Sequence, residues 1–448
     1  MNPQNRPERM GSAPVFGLIF SFALPSIVGM LANALYNIVD RIFVGQVVGP
    51  EGLAAAGICF SFMMFNFGIS LLFGVGSATL ISTALGEGKS DRAEKILGTT
   101  VGSIFLVSCV IAAFSYWNLE AILRLSGAGE SLIAASGEYM RVIIWGIPYS
   151  GLAFALNFCI RAEGRPAFSM GTQLIGAFAN IVLDALFIVV LGMGVKGAAL
   201  GTILAQLISA LWVAWFYFRR LGVLRLKTKN FIPNMTLLYK IVSLGLSPCL
   251  TEMFFSFSLL LFNRTLSAHG GDLGVSAFGA FMGWDSLLFL PVVGIGEAVQ
   301  TLFAYNFGAR LLKRLLEILK WALSLATVYY ILSAFSVYFL AEHMMRLFTS
   351  DPKLLKIAAE GAIISYGGVV FAGITLMTIS FFQGLGKAGM CLFLNLARQI
   401  LFLIPAILIL PRLFGLPGVW GCFIIMDVGG GCLGLCLLLR ECKRLSIL

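Results

Sequence analysis

VFGLIFSFALPSIVGMLANALYNIV, residues 15–39, carries no charged side chain, and its reading decides the fold. A helix rises about 1.5 Å per residue and needs roughly 20 apolar residues to cross a hydrocarbon core. The run is longer than that. It also exceeds the apolar core of a signal peptide, about 7–15 residues, so it is expected to be a retained helix and not a cleaved leader. Comparable runs recur along the chain to Leu439. With no water in the bilayer to satisfy N–H and C=O groups, each run must bond its own backbone as a helix. The spacing predicts helices over 15–39, 53–80, 95–117, 136–158, 168–191 and 197–218. After a basic linker it predicts six more, over 238–265, 275–302, 318–341, 356–382, 390–411 and 418–439.

Composition agrees. Of 448 residues, 59% are hydrophobic and only 12% charged, with a mean hydropathy of +0.94; a soluble domain of this size needs more charge to cover its surface. The expected fold class is an all-α integral membrane protein of twelve transmembrane helices. The net charge of +10 would point to nucleic acid in a soluble chain. Here the basic residues fall in short loops, so no nucleic-acid partner is expected. Twenty-one of the 31 Lys and Arg lie in the termini and even-numbered loops and eight in the odd-numbered loops. By the positive-inside rule both termini face the cytoplasm, in a plasma (inner) membrane. The nine cysteines form no C-x-x-C pair and most lie in apolar runs, where they serve as small packing residues.

The two halves repeat. Gly74-Val75-Gly76-Ser77-Ala78 recurs as Gly294-Ile295-Gly296-Glu297-Ala298, and Gly194-Val195-Lys196-Gly197 as Gly415-Leu416-Pro417-Gly418. Pro25 and Pro248 each stand early in the first helix of their half, where a proline removes a helix hydrogen bond and allows bending; Pro25 is therefore a candidate hinge. Residues 1–218 and 238–448 are expected to form two six-helix lobes, joined by a cytoplasmic linker over 219–237. Such a repeat implies a pseudo-two-fold along the membrane normal, with a central site near the midplane. The Gly-x-Gly pairs are expected to allow close helix packing; no Lys-Ser/Thr follows them, so they are not phosphate loops.

A charge at the bilayer centre costs at least about 2.5–3.5 kcal/mol, which makes intramembrane ionisable residues functional candidates. Asn33, Asn37 and Asp40 share one face of the first helix, Asn180 and Asp184 one face of the fifth, Thr202 and Gln206 one face of the sixth. Carboxylate, amide and hydroxyl oxygens suit a hard cation such as Na⁺. Two carboxylates sharing a site suit a proton equally. Asp40, Asn180, Asp184 and Thr202 are the expected cation-coupling set, with Na⁺ as the candidate metal. In the second half, Glu252, Ser256 and Asn263 share a face, and Asp285 stands mid-helix beside Trp284. A buried carboxylate next to an aromatic ring attracts organic cations. Asn33, Asn37, Glu252, Trp284 and Asp285 are thus the expected cargo-cavity residues. Arg398 is expected to pair with a carboxylate as a structural tie, and Asp427 admits either role.

In their order along the chain these features resemble the multidrug and toxic compound extrusion (MATE) family, in its bacterial MepA-like branch. The residues that carry the resemblance are Leu35-Tyr36-Asn37-Ile38-Val39-Asp40, Asn180-Ile181-Val182-Leu183-Asp184 with Phe187, and Gly197-Ala198-Ala199-Leu200-Gly201-Thr202. Pro291 through Gly296, Gln300 and Tyr305-Asn306-Phe307-Gly308-Ala309 extend it. The resemblance implies a two-lobed antiporter, driven by inward H⁺ or Na⁺, that exports small organic compounds. It implies cation binding at Asp40, Asn180, Asp184 and Thr202. No cofactor is implied beyond the coupling ion, and the expected partners are an organic substrate and membrane lipid around a monomer. One departure stands out: some branches place a coupling Glu about two turns after the seventh-helix proline, where this chain has Phe255, Ser256 and Phe257.

Two other readings compete. A lipid-linked oligosaccharide or lipid flippase of the same superfamily favours a cationic cavity, whereas the intramembrane charges here are mostly acidic. A membrane acyltransferase needs a buried His, and the two histidines, His269 and His343, fall in predicted outer loops.

Overall fold

The computed structural model describes residues 6–347, 349 and 351–445. Ser256 is described by its backbone alone, so the expectation that its hydroxyl shares the Glu252 face lies outside the described residues. The described chain is helical throughout. A short α1 (Arg6–Ser12) precedes α2 (Val15–Phe43), α3 (Pro50–Gly86), α4 (Ser90–Trp117), α5 (Leu119–Leu125), α6 (Glu130–Ala162), α7 (Pro166–Asp184) and α8 (Gly194–Phe218). The second half contains α9 (Met235–Gly308), α10 (Leu312–Met345), α11 (Pro352–Ser365), α12 (Val369–Gly384), α13 (Ala388–Leu396), α14 (Ile404–Phe414) and α15 (Leu416–Arg444).

Eleven continuous helical stretches are long and apolar enough to cross a membrane. One of them, α9, runs for 74 residues and breaks at Gly271, where φ is +58° and ψ is −157°. A side chain there would be strained, so glycine makes the turn. Its two arms correspond to the expected helices 238–265 and 275–302, and the described residues thus contain the twelve expected crossings. Three details exceed the pattern of apolar runs. Wide π-type turns occupy Val44–Val48, Ala185–Val190 and Ala397–Leu403. A 3-10 turn, Tyr366–Gly368, separates α11 from α12. The short α5 lies between the third and fourth crossings.

Two compact units form. The first comprises Met1–Ser12 and Val28–Cys249, the second Ala13–Ile27 and Leu250–Leu448. The opening stretch of α2 therefore belongs to the second unit, and the opening stretch of α9 to the first. Both changes of unit fall one or two residues after a proline, Pro25 or Pro248. Proline leaves a carbonyl one turn back without its donor, which weakens the helix there. The repeated Gly-x-Gly pairs receive these opening stretches. In the first unit no side-chain carbon fits between Gly76 and the Ile241 carbonyl, or between Gly245 and the Leu72 carbonyl. In the second unit Gly294 lies equally close to the Ile27 backbone. Small residues let α3, α6 and α8 approach in the same way, around Ala55, Cys59, Ala198 and Ala199.

The basic linker after α8 is tied to the first unit. Glu163 Oε2 accepts from the backbone amides of Val223 at 2.9 Å and Leu224 at 3.0 Å. Glu94 accepts from the Arg225 amide at 3.1 Å, Lys227 pairs with Glu94 and Asp91, and Arg165 donates to the Leu221 carbonyl. Glu163 follows the end of α6 and is fully buried. Burial pushes its carboxyl up to about 7, against the lowering effect of those amides, the Tyr217 hydroxyl and Arg165.

The consequence for stability has a definite sign. In the unfolded chain the group titrates near 4.5, so between 4.5 and about 7 the folded protein holds a proton that the unfolded chain has lost. Stability falls as pH rises through that window and levels off above it. Glu163→Gln keeps an acceptor for both amides and removes the titration. Thermal unfolding of the purified variant should lack this part of the fall, so its Tm advantage over the wild type should grow from about pH 5 to pH 7. Parallel Tm curves for the two proteins would reject the assignment.

Candidate functional site

In the first unit, α2, α6, α7 and α8 bring a polar cluster into the membrane interior. Asp184 is fully buried at the end of α7, immediately before the wide turn Ala185–Val190. The Asp40 carboxyl, from α2, is within hydrogen-bonding range of it. Among the described residues neither oxygen of Asp184, neither side-chain amide atom of Asn180, nor Asp40 Oδ1 has a hydrogen-bond partner. Two ionised carboxylates both accept, so neither can satisfy the other. The Tyr139 hydroxyl, from α6, lies near Thr202 of α8 and near both carboxylates. Tyr36 packs beside the same pair.

A cavity adjoins this cluster. Its empty volume, solvent-open part included, is about 510 Å³, and its lining contains the side-chain amides of Asn33, Asn157, Gln173, Asn180 and Gln206 together with Tyr36 and Thr202. No charged side chain is in that lining. Asn33 donates to Gln173 at 3.4 Å. Asn180 and Thr202 are the wall shared between the cavity and the carboxylates.

Of the residues expected for coupling, Asp40 and Asp184 face each other, and Asn180 and Thr202 line the adjoining cavity. Of those expected for cargo, Asn33 lines the cavity. Asn37 is exposed and spends its amide on the Asn33 carbonyl of its own helix at 2.8 Å. Tyr139, Asn157 and Gln173 are not among the expected site residues. Gln173 precedes Asn180 by seven residues on α7 and Asn157 follows Ser150 by seven on α6, so helical spacing carries a signal for both.

The second unit holds a different cluster. Asp285 accepts from the Tyr366 hydroxyl at 2.9 Å. Arg398, inside the wide turn Ala397–Leu403, pairs with Asp427 of α15 at 2.9 Å. Tyr330 is buried and feels the charges of Asp285, Asp427 and Arg398. Glu252 is half-buried. The Trp284 indole nitrogen is buried and has no hydrogen-bond partner among the described residues. Pro25 lies in the stretch of α2 that belongs to this unit.

The Arg398–Asp427 pair is mostly buried, with side-chain exposures of 17% and 7%. Removing one partner leaves an uncompensated charge, a loss of about 3–5 kcal/mol, whereas replacing both with apolar groups is often neutral. Arg398→Met should lower the unfolding temperature sharply, and Arg398→Met with Asp427→Leu should recover most of the loss. A double variant as unstable as the single one means that the pair is not a structural tie.

The MatE family model matches residues 25–186 and again 248–408, well over half of the chain. The chain is 26% identical over 413 residues to the multidrug export protein MepA of Staphylococcus aureus, covering 92% of this chain and 91% of that one. It is 24% identical over 416 residues to MepA of Staphylococcus haemolyticus, covering 92% and 91%. In fold it is similar to a crystal structure of MATE in the straight conformation, with a TM-score of 0.93, and to one in the bent conformation, with 0.92. Each shares 24% identity and covers 98% of both chains.

Proposed function

Because the chain belongs to the MatE family of membrane transporters, whose similar members above are multidrug export proteins and not enzymes, we propose that it is an antiporter exporting small organic cations in exchange for inward-moving H⁺ or Na⁺. The observation that carries the reading is the buried pair Asp40 and Asp184, whose oxygens lack donors. Such a pair binds one positive ion and prefers the conformation that best shields it. The uncharged cavity beside it, with Asn33, Asn180 and Thr202 in its wall, offers hydrogen bonds to cargo. In the second unit Asp285 accepts from a neutral hydroxyl while its neighbour Asp427 is matched by Arg398. That leaves one negative charge for a cationic cargo, with Trp284 alongside and Glu252 on α9. Pro25 supplies the bend.

The coupling is thermodynamic. Cargo and ion need share no atom; each must favour a different conformation. Binding of one then weakens the other by the same factor in both directions. The membrane potential adds about 2.3 kcal/mol per charge per 100 mV. The charge bias of the loops supports a bacterial inner membrane with both termini cytoplasmic, and a monomer among lipids suffices for this scheme. The excess of acidic over basic groups inside the membrane disfavours a lipid or oligosaccharide flippase.

Export of ethidium into inverted vesicles, with H⁺ and Na⁺ gradients imposed separately, tests the reading. Asp184→Asn preserves volume and should abolish gradient-driven export while ethidium binding persists and loses its dependence on pH or Na⁺. Gradient-driven export retained by Asp184→Asn and by Asp40→Asn would refute the coupling role. Asp285→Asn should weaken ethidium more than a neutral compound of like size; equal loss for both assigns Asp285 to structure.

A further inference from the structure

No hydrogen bond within the described chain fixes the Asp184 carboxylate, although it is fully buried. Apart from Asp40 within reach of it, its orientation must come from shape. The surface it lies against is Gly201 of α8. A methyl group built on Gly201 overlaps Asp184 Oδ1 and comes within 3.2 Å of its Cγ and 3.3 Å of its backbone nitrogen. Nothing larger than hydrogen fits there without moving the acid. The next residue, Thr202, lines the adjoining cavity and lies near Tyr139, so one turn of α8 both seats the carboxylate and carries a polar wall of the site.

We propose that Gly201 is a positioning residue for Asp184: its missing side chain lets the carboxylate rest on the α8 backbone and keeps it turned toward Asp40. The inference rests on the reading of Asp40 and Asp184 as the coupling pair.

The internal repeat supplies the comparison. Gly197 and its counterpart Gly418 do the same job in the two halves. Gly197 lies 2.9 Å, measured from a built Cβ, from the Phe187 carbonyl, and Gly418 lies against the Leu410 carbonyl. At the same offset the counterpart of Gly201 is Cys422, and that of Asp184 is Pro405. Cys422 is fully buried and bonds back to the Gly418 carbonyl at 3.2 Å. Helix packing at this turn thus tolerates a side chain in the half that has no acid. The glycine occurs where the acid occurs and is absent where it is absent.

Two measurements decide the point. The first is a stability cycle. Gly201→Ala should lower the unfolding temperature of the wild type but leave that of Asp184→Ala nearly unchanged, because shortening the acid removes the clash. Folding of Gly201→Ala only in the Asp184→Ala background gives the same support. Equal destabilisation in both backgrounds, or failure to fold in both, overturns the proposal. The second is the pH profile of ethidium binding to the purified full chain. Gly201→Ala should move its midpoint by about one pH unit, as expected when a buried carboxylate changes its surroundings. Gly418→Ala, a packing substitution in the other half, should lower stability and leave the midpoint in place. A folded Gly201→Ala protein with the wild-type midpoint overturns the proposal. Asp184→Asn run in parallel separates the two claims: if it leaves the profile unchanged the coupling reading fails, and the seat is then judged by the stability cycle alone.

Discussion

In hydrocarbon, a backbone N–H or C=O without a partner costs several kcal/mol, and every other feature of this protein is arranged around that penalty. It forces twelve helical crossings from a chain whose apolar runs carry little other pattern. It also makes each interruption of a helix informative, because an interruption frees backbone groups that must be satisfied locally. The interruptions here are few and placed. One wide turn follows Asp184, one contains Arg398, and one follows the segment bearing Asp40. Wide turns of this kind recur at functional sites in helices. Pro25 and Pro248 stand where α2 and α9 pass from one unit to the other.

The buried charges obey a second economy. Asp427 is matched by Arg398, and Asp285 has a neutral donor in Tyr366. Asp40 feels the charge of the neighbouring Arg41, and Asp40 and Asp184 lie within reach of each other. A protein selected only for stability would replace such groups by apolar ones, as buried ion pairs can be replaced without loss. Packing alone therefore does not account for Asp40 and Asp184. The cluster in the first unit is carboxylate, amide and hydroxyl; the cluster in the second is carboxylate, phenol and guanidinium. The two halves share helix order and glycine positions but have diverged in the chemistry that the helices carry.

Much of this was legible in the residues themselves. Helix number, the broken connection near Gly271 and the repeat follow from run length, turn residues and recurring glycines. The Asp40, Asn180, Asp184 and Thr202 set follows from i, i+4 stripes, since such spacing places oxygens on one face. What periodicity does not carry is convergence between helices. Tyr139 and Asn157 come from α6 and Gln173 from α7, and only the packing of one helix on another brings them to the site. Asn37 shares the stripe, and its amide folds back onto its own helix. Gly201 reads as one more small residue of a packing motif until the acid opposite it is seen. The wide turns were invisible because an extra residue in one helical turn changes no composition.

The exchange of opening stretches between the units also bears on how the molecule is made. Ala13–Ile27 is translated well before the rest of its unit, which is otherwise encoded from Leu250 onward. The first unit likewise lacks its last piece until Cys249 has been synthesised. At about 5–20 residues per second, the interval between the two stretches is on the order of tens of seconds. During that time the early turns of the first crossing are without the rest of their unit. The order of translation is therefore not the order of assembly, and a nascent chain stopped before the second half holds an incomplete first unit and one orphaned helical segment.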